Sequence, residues 1–134
     1  AGADHHARFA ALFARMAALP VPDVLVLGMG ADGHTASLFP HSPDLAAALD
    51  LATPACVLAV RLPEPPPQPK HPRLTMTLAH ILRARRLVLP VQGDDKLRTL
   101  AQAAADTARP HADALPISHI LDQATTPVSL WLPQ

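Results

Sequence analysis

The apolar positions of the chain fall into two kinds of pattern. Between His5 and Leu19, Phe9, Leu12, Phe13 and Met16 recur at i, i+3, i+4 and i+7. That spacing is one face of a helix, with Asp4 as its N-cap and Pro20 and Pro22 as its stop. Asp23–Gly28 is a continuous apolar run between Pro and Gly, the pattern of a strand buried on both faces. Asp44–Leu51 predicts a short helix and Ala55–Leu62 a second strand. Pro63–Pro72 holds six prolines in ten residues and is read as a long loop. Arg73–Ala84 is predicted as a helix with Leu74, Leu78, Ile81 and Leu82 on one face. A strand at Arg86–Val91, an Ala-rich helix at Asp94–Arg109, a helical turn at Pro116–Leu121 and a strand at Pro127–Leu132 complete the series. This alternation predicts an α/β fold: a Rossmann-like layered sheet of mainly parallel strands flanked by helices. At 134 residues the chain is expected to form a single domain over residues 1–134.

Composition narrows the function classes. Eleven basic residues balance eleven acidic ones, which argues against a basic nucleic-acid-binding surface. At 49% hydrophobic and 16% charged, the chain is too apolar for disorder. No apolar run is long enough for a transmembrane helix, and no signal-peptide stretch opens the chain. The expectation is a cytoplasmic protein without membrane or nucleic-acid partners. The lone Cys56 lies in an apolar strand and reads as a small buried hydrophobe. His5, His6, His41, His71 and His80 show no zinc-like spacing with Cys or acid, so no metal site is expected. Prolines number 16, more than double the ordinary share of about 5%, and Ala1 in place of Met suits a processed product or fragment.

The chemistry concentrates in Gly28-Met-Gly-Ala-Asp-Gly-His-Thr-Ala-Ser-Leu-Phe-Pro40. Gly28, Gly30 and Gly33 satisfy G-x-G-x-x-G directly after a strand. The dinucleotide reading fails on physical grounds, because Pro40 and Pro43 leave about a turn and a half where that fingerprint needs a full helix. The arrangement instead brings backbone N–H groups close to a ligand and sets His34 at a strand's C-terminal edge, where open α/β sheets bind ligands. Imidazole suits proton transfer near neutral pH. Taken as local structure, the same residues make a glycine-rich turn capped by His34, with Asp32 bonding its own backbone. Lys96 and Arg73 each open a predicted helix, where an anion is favoured; a guanidinium also grips phosphate bidentately.

This segment closely resembles the signature of the 6-phosphogluconolactonase family, kin to the glucosamine-6-phosphate isomerase/deaminase group. Pro65–Pro72 leading into Arg73-Leu-Thr-Met-Thr77, Gly93-Asp-Asp-Lys96, Leu115-Pro-Ile-Ser118 and Val128-Ser-Leu-Trp131 resemble further family segments in the same order. The deaminase branch carries an acid just before the proline, whereas Leu38-Phe39-Pro40 does not, which points to the lactonase. Family members are longer, with a Gly/Ser-rich phosphate loop in their N-terminal half that nothing here matches. The chain thus resembles the C-terminal half, a truncated version of the family fold. The resemblance implies hydrolysis of 6-phospho-D-glucono-1,5-lactone to 6-phosphogluconate in the pentose phosphate pathway, a chemistry that requires no metal or cofactor. It implies His34 as the base that activates water, with Asp32 orienting it. Gly28, Gly30 and Gly33 would offer N–H groups to the oxyanion, and Arg73 and Lys96 would take the phosphate. Two other readings stay open: a catalytically silent sugar-phosphate-binding module and, less favoured, the deaminase.

Overall fold

A computed structural model describes residues 2–67, 70–105 and 114–133. The elements run α1 (Gly2–Ala18), β1 (Leu25–Val26), α2 (Leu45–Leu49), β2 (Val57–Val60), β3 (Arg73–Met76), α3 (Leu78–Ile81), β4 (Leu87–Pro90), α4 (Asp94–Ala105), α5 (Ser118–Leu121) and β5 (Val128–Trp131). Helix α1 begins at Gly2, so Asp4 lies within its first turn rather than before it. The predicted end of α4, at 106–109, lies outside the described residues.

The main sheet is parallel, with strand order β1-β4-β5. Leu25 pairs with Leu87 and Leu87 with Val128; Leu89 pairs with Leu130 and Pro90 with Trp131. The alternation along each strand sorts the two faces. Leu27, Leu87 and Leu89 are fully buried and pack with Ile81, Leu100, Ile117 and Ile120 from α3, α4 and the segment around α5. Burial of a leucine side chain of this kind contributes roughly 1.5–3 kcal/mol. The core therefore sits on one face of the sheet, under the helices of the two crossovers. The α/β expectation of a parallel sheet flanked by helices holds.

Two expectations are corrected. The strand predicted at Ala55–Leu62 does not join the main sheet, and Arg73–Met76 is not helical. Instead β2 and β3 form an antiparallel pair of their own, with Val57 opposite Met76 and Val60 opposite Arg73. The apparent helical face was misleading because Leu74 points outward and is exposed, while Thr75 is buried on the other side. The helix starts only after Thr77, whose side chain accepts from the His80 N–H at 3.2 Å. Its hydroxyl also donates to the Ala55 carbonyl at 2.7 Å, fastening the cap to the start of β2. Cys56 is buried as expected, with its sulfur 3.6 Å from the Phe13 carbonyl.

Candidate active site

The turn after β1 is built around its glycines. Leu27 closes the strand by donating its N–H to Val88 at 2.9 Å. Gly30 then donates to the His34 carbonyl at 2.9 Å and Gly33 to the Gly30 carbonyl at 3.0 Å, so the backbone curls back on itself. Gly33 has φ +81°, a conformation that a Cβ would strain, and Leu115 packs where that Cβ would be, at 3.1 Å. The amides of Gly30 and Gly33 are thus spent within the turn, which corrects the expectation that they stand ready for an oxyanion. A Cβ at Gly28 would meet nothing within 4 Å; its carbonyl accepts the buried Thr35 hydroxyl at 2.8 Å.

Asp32 makes two contacts with His34. Its Oδ1 accepts the His34 backbone N–H at 3.1 Å, a local turn bond, and lies 2.5 Å from Nδ1 of the same histidine. A carboxylate can only accept, so Nδ1 carries the proton and Nε2 is left as the basic nitrogen. The imidazole leans on Phe39, with ring centroids 4.7 Å apart and planes at 41°. The His34 side chain remains 32% exposed and that of Asp32 49%, so the pair is open to a ligand.

Three long-range contacts hold this turn in place. Thr99 of α4 donates its hydroxyl to the Ala31 carbonyl at 2.6 Å. Ile117 donates its N–H to Gly33 at 3.0 Å. Farther along, Ser37 donates to Thr75 of β3 at 3.1 Å. Sequence reasoning did not find Thr99 or Ile117, since neither carries a local pattern that points to a turn so far upstream. Thr75 and Thr77 are both buried and hydrogen-bonded to protein groups.

Lys96 lies on the first turn of α4, one turn ahead of Thr99. It lines an open depression of about 600 Å³ with Pro90, Gly93 and Trp131, at the C-terminal ends of β4 and β5. Because the sheet is parallel, this is the same edge from which the His34 turn leaves β1. The first turn of α4 also holds Asp94 and Asp95, and Asp95 Oδ1 accepts the Lys96 amide at 2.8 Å. Arg73 opens β3, not a helix, so the helix-terminus argument for it falls. It is half-buried and, by strand alternation, shares the face of Thr75, which touches the segment just after the His34 turn. His34 and Asp32 are in direct contact, whereas Lys96 and Arg73 reach the turn through the elements that carry them. Among the described residues no group of three or more His, Cys, Asp or Glu side chains is placed to hold a metal ion.

Known proteins resemble this chain in sequence and in fold. The sequence model of the glucosamine-6-phosphate isomerases/6-phosphogluconolactonase family matches residues 1–130. A 6-phosphogluconolactonase of Mesorhizobium japonicum is 43% identical over 122 residues, which cover 90% of this chain and 48% of that protein. One from Pseudomonas putida is 53% identical over 87 residues, 65% of this chain and 34% of that protein. The crystal structure of a 6-phosphogluconolactonase from Shewanella baltica superposes with a TM-score of 0.77 at 38% identity, covering 89% of this chain and 48% of the other. A monomeric glucosamine-6-phosphate deaminase, 20% identical with a TM-score of 0.54, shares the fold. The chain spans about half the length of the curated relatives it matches, and aligns with their C-terminal half. By its sequence over nearly its whole length and by its fold, it belongs to the glucosamine-6-phosphate isomerase/6-phosphogluconolactonase family.

Proposed function

We propose that this chain carries, within one cytoplasmic α/β domain, the hydrolytic centre for 6-phospho-D-glucono-1,5-lactone, yielding 6-phosphogluconate for the pentose phosphate pathway. The observation that carries the reading is the Asp32–His34 pair, held at the C-terminal edge of a parallel sheet in a chain whose curated relatives are 6-phosphogluconolactonases. Nε2 of His34 takes a proton from water as its oxygen attacks the lactone carbonyl, and Asp32 stabilises the imidazolium that forms. The tetrahedral oxyanion then collapses, the ring C–O bond breaks, and the imidazolium returns the proton to the departing ring oxygen. One water is consumed and one hydroxy acid results. Lys96 and Arg73 bind the 6-phosphate as cations. The amides of Gly30 and Gly33 shape the turn, so oxyanion donors come from its other N–H groups, that of Gly28 first among them.

The test is acid release from freshly prepared lactone, measured above the spontaneous rate. His34→Ala is expected to lose roughly 10²–10⁴-fold, the usual worth of a positioned general base. Undiminished hydrolysis in that variant would exclude His34 as the base.

The second reading is a sugar-phosphate-binding module without turnover. It predicts binding of 6-phosphogluconate by calorimetry with no acid release above background. The deaminase reading predicts ammonia from glucosamine 6-phosphate; none is expected, because Leu38-Phe39-Pro40 puts no carboxylate before the proline.

A further inference from the structure

Among the described residues, two long-range hydrogen bonds reach the segment from Gly30 to Gly33, and one of them is made by a side chain. Ile117 reaches Gly33 through its backbone amide, a bond that any residue but proline supplies there. Thr99 reaches Ala31 through its hydroxyl, at 2.6 Å. A threonine inside a helix ordinarily turns that hydroxyl back onto the carbonyl four residues before it. Here the Asp95 carbonyl lies at 3.1 Å, farther than that of Ala31. The single hydroxyl proton is thus directed out of the helix and into the turn.

What that bond fixes is the partner of the base. The Ala31 carbonyl and the Asp32 amide belong to one planar peptide, so holding the oxygen sets the direction from which the Asp32 side chain leaves the backbone. Among the described residues, both hydrogen bonds of the Asp32 carboxylate run to His34. The carboxylate is therefore placed against the rest of the molecule through its main chain, and the Nδ1 proton of His34 is placed through the carboxylate. The other end of the link is firm. Helix α4 is anchored by Leu100 and Ala103, both buried in the core. Lys96 stands three residues before Thr99, on the same side of that helix. One helix thus carries both the candidate phosphate cation and the fastener of the candidate base.

We propose that Thr99 is a positioning residue for the hydrolysis. Its hydroxyl locks the Asp32–His34 pair to the helix that holds Lys96, so that a substrate gripped by its phosphate meets the imidazole at a fixed reach and in the Nδ1–H tautomer. Thr99 acts through Asp32 and His34 and touches no reacting atom. Its effect falls on the chemical step and not on binding, because Lys96 keeps its place on α4 whether or not the bond is made. The assignment rests on His34 acting as the base, and its test includes a readout that needs no turnover.

The experiment compares the chain with Thr99→Val, which keeps the shape and removes the donor, and with Thr99→Ser, which keeps the donor. In acid release from fresh lactone, Thr99→Val is expected to lower kcat about tenfold to a hundredfold, the scale on which a small misplacement of a reacting group acts, with KM within about twofold of wild type. Thr99→Ser is expected to bring kcat back to within about threefold of wild type. Long-range proton–nitrogen spectra of the imidazoles are recorded at about pH 8, above the ordinary histidine range, with the His34 signal assigned by its absence from His34→Ala. They are expected to show the Nδ1–H tautomer in the wild type and in Thr99→Ser, and a mixture of both tautomers in Thr99→Val. An unaltered kcat in Thr99→Val overturns the proposal, as does a raised KM with kcat unchanged, an unaltered tautomer, or a failure of Thr99→Ser to restore either readout. If the wild-type chain releases no acid above background, the hydrolytic reading fails by itself, and the tautomer comparison alone decides whether Thr99 sets the pair. Should Thr99→Val lose the far-UV circular dichroism of the wild type, Thr99→Ala, better suited to a helix, takes its place.

Discussion

Gly30 lies so close under the His34 ring that any side chain there collides with the imidazole and with Asp32 Oδ1, at 2.6 Å. Gly30→Ala is therefore expected to break the Asp32–His34 pair and to lower lactone hydrolysis nearly as far as His34→Ala. At Gly28 a Cβ enters open space, so Gly28→Ala is expected to leave stability within about 0.5 kcal/mol of wild type. Thermal melts of the two variants beside the acid-release assay check both outcomes. At this scale the candidate base and its partner were legible, because the residues that meet are two apart and their bond is local. The fate of the glycine amides was not, since it depends on how the turn closes on itself, which the spacing of the glycines leaves open.

Among the elements, runs of contiguous apolar residues identified β1, β4 and β5 well, although the expectation of burial on both faces fails at Val24 and Val26, which are exposed. Helical spacing misled at Arg73–Met76, where Leu74 belonged to an outward strand position and the pairing partner lay across a proline-rich loop. The Thr77 cap was a usable signal there, a hydroxyl just ahead of the buried Leu78 and Ile81. Asp44, ahead of α2, reaches Arg61, just after β2: the Arg61 guanidinium donates at 2.7 and 3.0 Å and its backbone N–H at 2.8 Å. These hydrogen bonds, side chain first and then backbone, hold the Asp44 carboxyl down from 3.8 to about 2. A group whose folded pKa is depressed binds fewer protons folded than unfolded, so its contribution is present above about pH 4 and is lost as pH falls towards 2. Asp44→Asn is expected to flatten the fall of the unfolding midpoint between pH 4 and pH 2, followed by circular dichroism. The effect is modest, because Arg61 is largely exposed and the pair is screened by salt.

For the whole molecule, the layer pattern and the parallel sheet were readable from the alternation of elements, but the separate β2–β3 pair was not. Pairing across the proline-rich tract depends on contacts far apart in sequence, which periodicity does not encode. Stability rests on the packed core that Leu87 and Leu89 enter from the sheet. Leu89 in the central strand is fully buried, and Leu89→Ala is expected to cost about 2–5 kcal/mol, the range for emptying a packed leucine site. With a total stability of about 5–15 kcal/mol typical of domains, that loss is expected to shift the urea midpoint strongly or to unfold the chain, as equilibrium denaturation would register. The bond from Thr99 to Ala31 has a consequence for the order of events. It joins residues 68 apart, and the Ile117 contact to Gly33 reaches further still. A nascent polypeptide therefore lacks both fasteners until Thr99 has emerged from the ribosome, and holds the histidine-bearing turn by the pair of them only once Ile117 has followed.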